Sequence, residues 1–190
     1  QDDVVKELGI ILGAARQRKT IPPHVLLSGP PGLGKTTLAA IIASTMDLPL
    51  VSASAPALEK PGDLASLLVS LNGPSVVFVD EVHQLPKVVE ETLYSAMEDG
   101  RIDVIISDGA TNTRSIPMPL EPFTLVGATT SSGSLGGPFR DRFGYLGRLV
   151  PYSTEVLAGI VSHNAETIEL DLTGRAAEII ADRSRGTPRI

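Results

Sequence analysis

With 190 residues, 42% of them apolar, the chain is long enough for one substantial core, or for a core plus a small satellite domain. Zero cysteines exclude disulfides and thiolate metal sites, three scattered histidines make a poor zinc set, and no apolar run approaches the length of a membrane span. A formal charge of -6, only 4% aromatic residues and no Trp argue against a broad basic face or a stacking platform for nucleic acid, so any DNA contact must be local or made elsewhere.

The chain opens on Gln1-Asp2-Asp3, without the basic and apolar regions of a signal peptide, and a cytoplasmic protein is the expectation. The missing initiator Met and the abrupt end at Arg189-Ile190 read as a piece of something longer. Val4, Leu8, Ile11, Leu12 and Ala15 recur at helical spacing, and the basic Arg16-Gln17-Arg18-Lys19 suits a helix C-terminus. A loop at Pro22-Pro23 leads into the strand Val25-Leu26-Leu27, followed at once by Gly29-Pro30-Pro31-Gly32-Leu33-Gly34-Lys35-Thr36 and a helix that runs on through Thr37. Strand, G-x-x-x-x-G-K-[ST] and helix in that order are the context a phosphate-cradling loop requires. Glycines let successive backbone N–H groups point at a phosphate, and the helix N-terminus adds partial positive charge. Lys35 would reach the β- and γ-phosphates of a nucleoside triphosphate, and the Thr36 hydroxyl would ligate Mg²⁺.

A short strand over residues 50–53 and a helix over residues 64–71, N-capped by Asp63, come next. Val76-Val77-Phe78-Val79 is a continuous apolar run of the kind buried on both faces of a parallel sheet, and it ends in Asp80-Glu81. At such a strand end Asp80 can hold Mg²⁺ through water while Glu81 polarises an attacking water. A helix spans residues 87–99, and then the pattern changes: Ile102, Val104 and Ile106 alternate, Asp108-Gly109 signals a turn, and Ile116, Met118 and Leu120 alternate again. This predicts an inserted β-hairpin, with Pro117 and Pro119 confining its second arm to an edge.

The sheet resumes over residues 123–127 and again over residues 148–150. Thr129 and Thr130 follow the first of these strands, where a hydroxyl can touch the γ-phosphate; N-capping or turn chemistry is the competing role. Arg140 and Arg142 flank Asp141, and two readings stand: a local ion pair, or a guanidinium presented to the nucleotide of a neighbouring subunit. Residues 154–168 and 173–185 are helical only and read as the start of a small helical domain. His83 beside the acidic pair reads as a packing or orienting residue, and His24 and His163 are given no function.

The P-loop, Glu59-Lys60-Pro61-Gly62-Asp63-Leu64, Val79-Asp80-Glu81-Val82-His83, Ala96-Met97-Glu98-Asp99, residues 122–130, Arg140-Asp141-Arg142-Phe143-Gly144 and Arg185-Gly186-Thr187-Pro188-Arg189-Ile190 together closely resemble the bacterial RuvB family, from end to end of the chain. The resemblance implies an α/β fold: a P-loop AAA+ domain over residues 1–150, with a central parallel sheet flanked by helices and the hairpin of residues 102–120 inserted, then the start of a small helical lid over residues 151–190. It implies an ATP-hydrolysing motor that, with RuvA, drives branch migration of Holliday junctions in DNA recombination and repair, with ATP and Mg²⁺ at the site. Carried over by position, Gly29, Pro30, Gly32, Leu33, Gly34, Lys35, Thr36 and Thr37 bind nucleotide, Thr36 and Asp80 hold the metal, and Glu81 is catalytic. Thr129 matches the first sensor, Arg189 the second, and Arg142 the arginine finger acting in trans within a hexameric ring of identical subunits. The hairpin matches the element that docks RuvA. DNA contact is expected mainly through a winged-helix domain beyond Ile190, and part of the adenine enclosure through a segment before Gln1. Ser131-Ser132 and Gln84 stand where relatives usually carry Arg-Ala and Arg, which removes positive charge near the nucleotide side. The rival readings are a clamp-loader-like ATPase and an ATP-dependent docking platform without turnover.

Overall fold

The computed structural model describes residues 1–107 and 113–189. Its centre is a five-stranded sheet in the order β2 (Leu50–Ser54), β3 (Ser75–Asp80), β6 (Phe123–Thr129), β1 (Val25–Ser28), β7 (Tyr145–Arg148), parallel throughout. Parity along the strands explains why such a sheet forms. Val25 and Leu27 of β1, Val76 and Phe78 of β3, and Val126 and Ala128 of β6 join one apolar cluster with α1 (Asp2–Arg18) and α2 (Lys35–Met46). The alternate residues Leu26, Val77, Val79, Phe123 and Leu125 join a second cluster with α3 (Pro61–Val69) and α4 (Lys87–Asp99). Strands covered on both faces need apolar residues at every position, which is why β3 and β6 read as continuous runs.

The hairpin is a separate two-stranded sheet, β4 (Arg101–Ser107) against antiparallel β5 (Thr113–Pro119), with Val104 opposite Ile116 and Pro117 opposite Asp103. Its root is anchored by buried Ile102, whereas Ile116 further out is 45% exposed. The turn expected at Asp108-Gly109 lies outside the described residues. Beyond β7, α6 (Thr154–Thr167) and α7 (Gly174–Arg183) pack on each other, each started by a hydroxyl cap: Ser153 accepts from the Val156 amide and Thr173 from the Ala176 amide.

Two elements depart from expectation. Asp63 is not the N-cap of α3 but its third residue, and its carboxylate reaches back to accept from the amides of Glu59 and Lys60, both at 3.1 Å. The last strand is Tyr145–Arg148, not residues 148–150. Gly147 fits against Leu27, where a Cβ would come within 3.0 Å of the Leu27 side chain, and this close approach sets the register of β7 on β1.

Candidate nucleotide site

Because β3, β6 and β1 are adjacent and parallel, their C-terminal ends emerge together: Ser28 lies beside Thr129, and Val79 beside Gly127. This edge of an open α/β sheet is where ligands bind. A cleft of about 530 Å³ opens there, lined by the loop residues Gly32, Leu33 and Gly34, then Lys35, Thr36 and Thr37, then Asp80 and Glu81, and finally Pro188 and Arg189. Its apolar end holds Val5 of α1, Ile41 of α2 and Ile160 of α6. No sequence motif marks these three; they meet only in the folded chain, where the cleft draws on α1, α2 and α6.

The loop owes its shape to glycine at two places. Gly29 has φ 147°, and a Cβ there would come within 2.5 Å of the Leu149 carbonyl oxygen. Gly32 has φ 78°, and a Cβ would meet Thr187 at 2.6 Å and Arg189 at 3.0 Å, so the segment after α7 lies directly on the loop. Tyr152 reinforces this closure, its amide donating to the Gly186 carbonyl at 2.9 Å. Arg189 is thereby brought to the cleft from a position 154 residues beyond Lys35.

Lys35 is buried, and its Nζ donates to the Gly29 and Pro30 carbonyls at 2.7 and 3.0 Å. Burial lowers its pKa, the charges of Glu81 and Asp80 oppose that shift, and Arg189 adds to it. Gly29 and Pro30 themselves face a neighbouring hollow, shared with Thr130.

Asp80 closes β3 and accepts from the Glu81 amide at 3.0 Å. Glu81 adopts a left-handed backbone, φ 51°, a conformation costing about 1–2 kcal/mol in a residue with a Cβ and typical of functional sites. One oxygen of its carboxylate, Oε2, accepts from the Thr130 amide at 3.1 Å and from the Thr130 hydroxyl at 2.9 Å, and lies 3.1 Å from His83 Nδ1. The same His83 nitrogen is 2.9 Å from the Thr129 hydroxyl, which also accepts from the Ser131 amide at 3.0 Å. Thr129 is fully buried, so the hydroxyl beside Glu81 on the exposed side is Thr130's, one residue later than the motif match points. His83, expected to pack or orient, bridges the ends of β3 and β6 through these two contacts.

Arg142 stands apart from the cleft of its own chain. It follows α5 (Gly137–Arg140), and its guanidinium lies over the Tyr94 ring at 4.4 Å from the centroid, bonds the Tyr94 hydroxyl, and pairs with Glu98 at 2.5 Å. The local pair with Asp141 is replaced by this one because Tyr94 and Glu98, one helical turn apart on α4, present a ring and a carboxylate on one face.

A family model described as the Holliday junction DNA helicase RuvB P-loop domain matches residues 1–149, and a second, the RuvB AAA lid domain, matches residues 152–190. The chain belongs to the RuvB family. Among curated RuvB proteins it is 53% identical to the Holliday junction branch migration complex subunit of Cutibacterium acnes and 52% identical to that of Corynebacterium jeikeium. It is matched over 100% of its length in both cases, and spans 55% and 53% of those relatives, about half. The solved Thermotoga maritima RuvB, described as a Holliday junction branch migration motor, superposes with a TM-score of 0.87 at 46% identity, over 100% of this chain and 58% of that one. A mutant of the same RuvB gives a TM-score of 0.90. The RuvB AAA+ fold is thus this chain's fold: a parallel sheet between helices, carrying a helical lid.

Proposed function

We propose that the chain is the ATP-hydrolysing core of a ring-forming motor that drives branch migration of Holliday junctions in recombination and repair, working with RuvA in the cytoplasm. The observation that carries this is the division of the site: loop, acidic pair and Arg189 converge on one cleft, while Arg142 stands outside it, available to another copy. Residues 1–150 form the ATPase domain and residues 151–190 begin the lid. The amides of residues 29–34 at the N-terminus of α2 would hold the triphosphate, and Val5, Ile41 and Ile160, which line the same cleft, would contact the base. Lys35 Nζ leaves the Gly29 and Pro30 carbonyls for phosphate oxygens, a charge-assisted exchange.

Thr36 and Asp80 both line the cleft with Lys35, and a hydroxyl with one carboxylate is a sparse oxygen set that suits Mg²⁺, an ion that takes most of its ligands from water and phosphate. Held there, the ion would neutralise charge on the transferred phosphoryl group. Glu81 Oε2 is engaged by Thr130 and His83, which leaves Oε1 to accept from the attacking water and orient it in line. Thr130, through this contact, takes the sensing role that the motif match gave to Thr129, and Arg189 senses nucleotide from the lid. Arg142 stabilises charge in the next subunit's site. The hairpin recruits RuvA through its exposed apolar arm, and junction DNA is gripped by a winged-helix domain beyond residue 190. No helix among the described residues is long and apolar enough to cross a membrane.

The test is steady-state ATP turnover and junction branch migration by the Glu81→Gln variant in the presence of RuvA. Turnover is expected to fall by at least about 10²-fold with nucleotide binding retained. A variant that keeps its turnover overturns the reading.

A further inference from the structure

Arg142 is held in a way its proposed role does not require. A finger that acts in trans needs only to project from the surface, yet this guanidinium is stacked on Tyr94, bonded to the Tyr94 hydroxyl and paired with Glu98. Both bonds use the single nitrogen Nη2, and Nε is buried without any partner. A buried orphan donor is costly, so Tyr94 and Glu98 hold the group against that cost. Glu98 is itself unusual: a carboxylate in the last turn of α4 meets the negative end of the helix dipole, and Asp99 follows it. The Arg142 cation offsets that charge. Arg142 is also flanked by Phe139 and Phe143, packed edge to face at 5.3 Å within the same apolar cluster as Leu93, Ala96 and the hairpin root Ile102. Three residues after Glu98, β4 begins.

We propose that Tyr94 and Glu98 are positioning residues for Arg142: the ring fixes the plane of the guanidinium and the carboxylate fixes its reach, so that Nη1 is presented to the phosphates of the adjoining copy. This rests on the trans role of Arg142 proposed above. A long flexible side chain without such support samples many rotamers, and misplacement by about 1 Å can reduce a rate about 10²-fold.

The experiment compares Glu98→Gln and Tyr94→Phe with the wild-type full chain, assembled under the same conditions, by ATP turnover, nucleotide affinity and melting temperature. Glu98→Gln is expected to lower kcat about tenfold or more, with KM for ATP and nucleotide affinity within about twofold of wild type. Tyr94→Phe keeps the ring and is expected to lose less. Mixing Glu98→Gln subunits with Glu81→Gln subunits is expected to raise turnover per Glu98→Gln subunit, because an intact site beside a Glu81→Gln neighbour then receives an Arg142 still held by Glu98. Wild-type kcat in Glu98→Gln, or a mixture that shows only dilution, overturns the inference. If Glu98→Gln does not fold, Tyr94→Leu, which removes the ring, decides the question, and its unchanged kcat overturns the inference equally. Arg142→Ala is the control: if that variant turns over ATP like wild type, the trans reading itself is wrong, whereas an inactive Arg142→Ala beside a fully active Glu98→Gln removes only the positioning role.

Discussion

Glu81 shows how little freedom a carboxylate at the cleft has once its neighbours are placed. Its left-handed backbone turns the chain away from β3, and Thr130 and His83 then share one of its two oxygens. Thr130→Val removes the hydroxyl contact and keeps the amide contact. It is expected to lower kcat about tenfold with KM for ATP unchanged, since the missing bond orients the carboxylate rather than the nucleotide. Unchanged kcat in steady-state turnover would contradict that role. At this scale the contiguous signals were legible: the glycine loop with Lys35 and Thr36, and the acidic pair after four apolar residues. Thr129 and Thr130 were not separable, because two hydroxyls in a row look alike until strand burial decides. β6 is buried through its last residue, so Thr129 turns inward and Thr130 is the first position outside. Tyr94 carried no signal, and Glu98 only as part of the Ala96-Met97-Glu98-Asp99 match; nothing tied either to Arg142, which lies more than forty positions away in a different element.

His24 links elements rather than performing chemistry. Its Nδ1 accepts from the Leu125 amide at 2.9 Å, and its Nε2 lies 3.5 Å from the Met97 carbonyl, so one ring ties the entry of β1 to β6 and to the end of α4. Burial lowers its pKa below the ordinary 6.5, opposed in part by the Met97 carbonyl. The folded chain therefore binds the proton less readily than the unfolded chain. Stability is full above about pH 6.5 and is lost as the pH falls from there toward the lower folded value. His24→Gln, which cannot titrate, is expected to show a shallower fall in Tm between about pH 7.5 and 5.5 than the wild type. Equal slopes in the two proteins would show that another group governs this range. Elements with strong periodicity, such as α4 and β3, were legible close to their observed limits. β7 was not, because an edge strand reading Tyr-Leu-Gly-Arg has no apolar run, and its place is set by the fit of Gly147 against Leu27. The helix over residues 61–69 was displaced for a related reason: an aspartate at the third position of a helix serves the same orphan amides as one at the N-cap, and the sequence alone does not distinguish them.

For the whole molecule, the fold holds the cleft residues and Arg142 at two separate places. The cleft collects residues from α2, β3 and the segment after α7, whereas Arg142 sits beyond α5 on the platform built by α4. The hairpin leaves that same platform, so the elements proposed for partner docking and for the finger both adjoin α4. On the proposed reading, a chain arranged in this way completes its site with a second copy, and the net charge of -6 argues against a broad basic face for DNA on this chain. The measurement that tests this most directly is ATP turnover in mixtures of Arg142→Ala and Glu81→Gln subunits across a range of ratios. Each variant alone is expected to be inactive, and mixtures are expected to recover activity, greatest near equal proportions, where an intact Glu81 most often meets a neighbour's intact Arg142. Mixtures that stay inactive at every ratio would contradict a shared site.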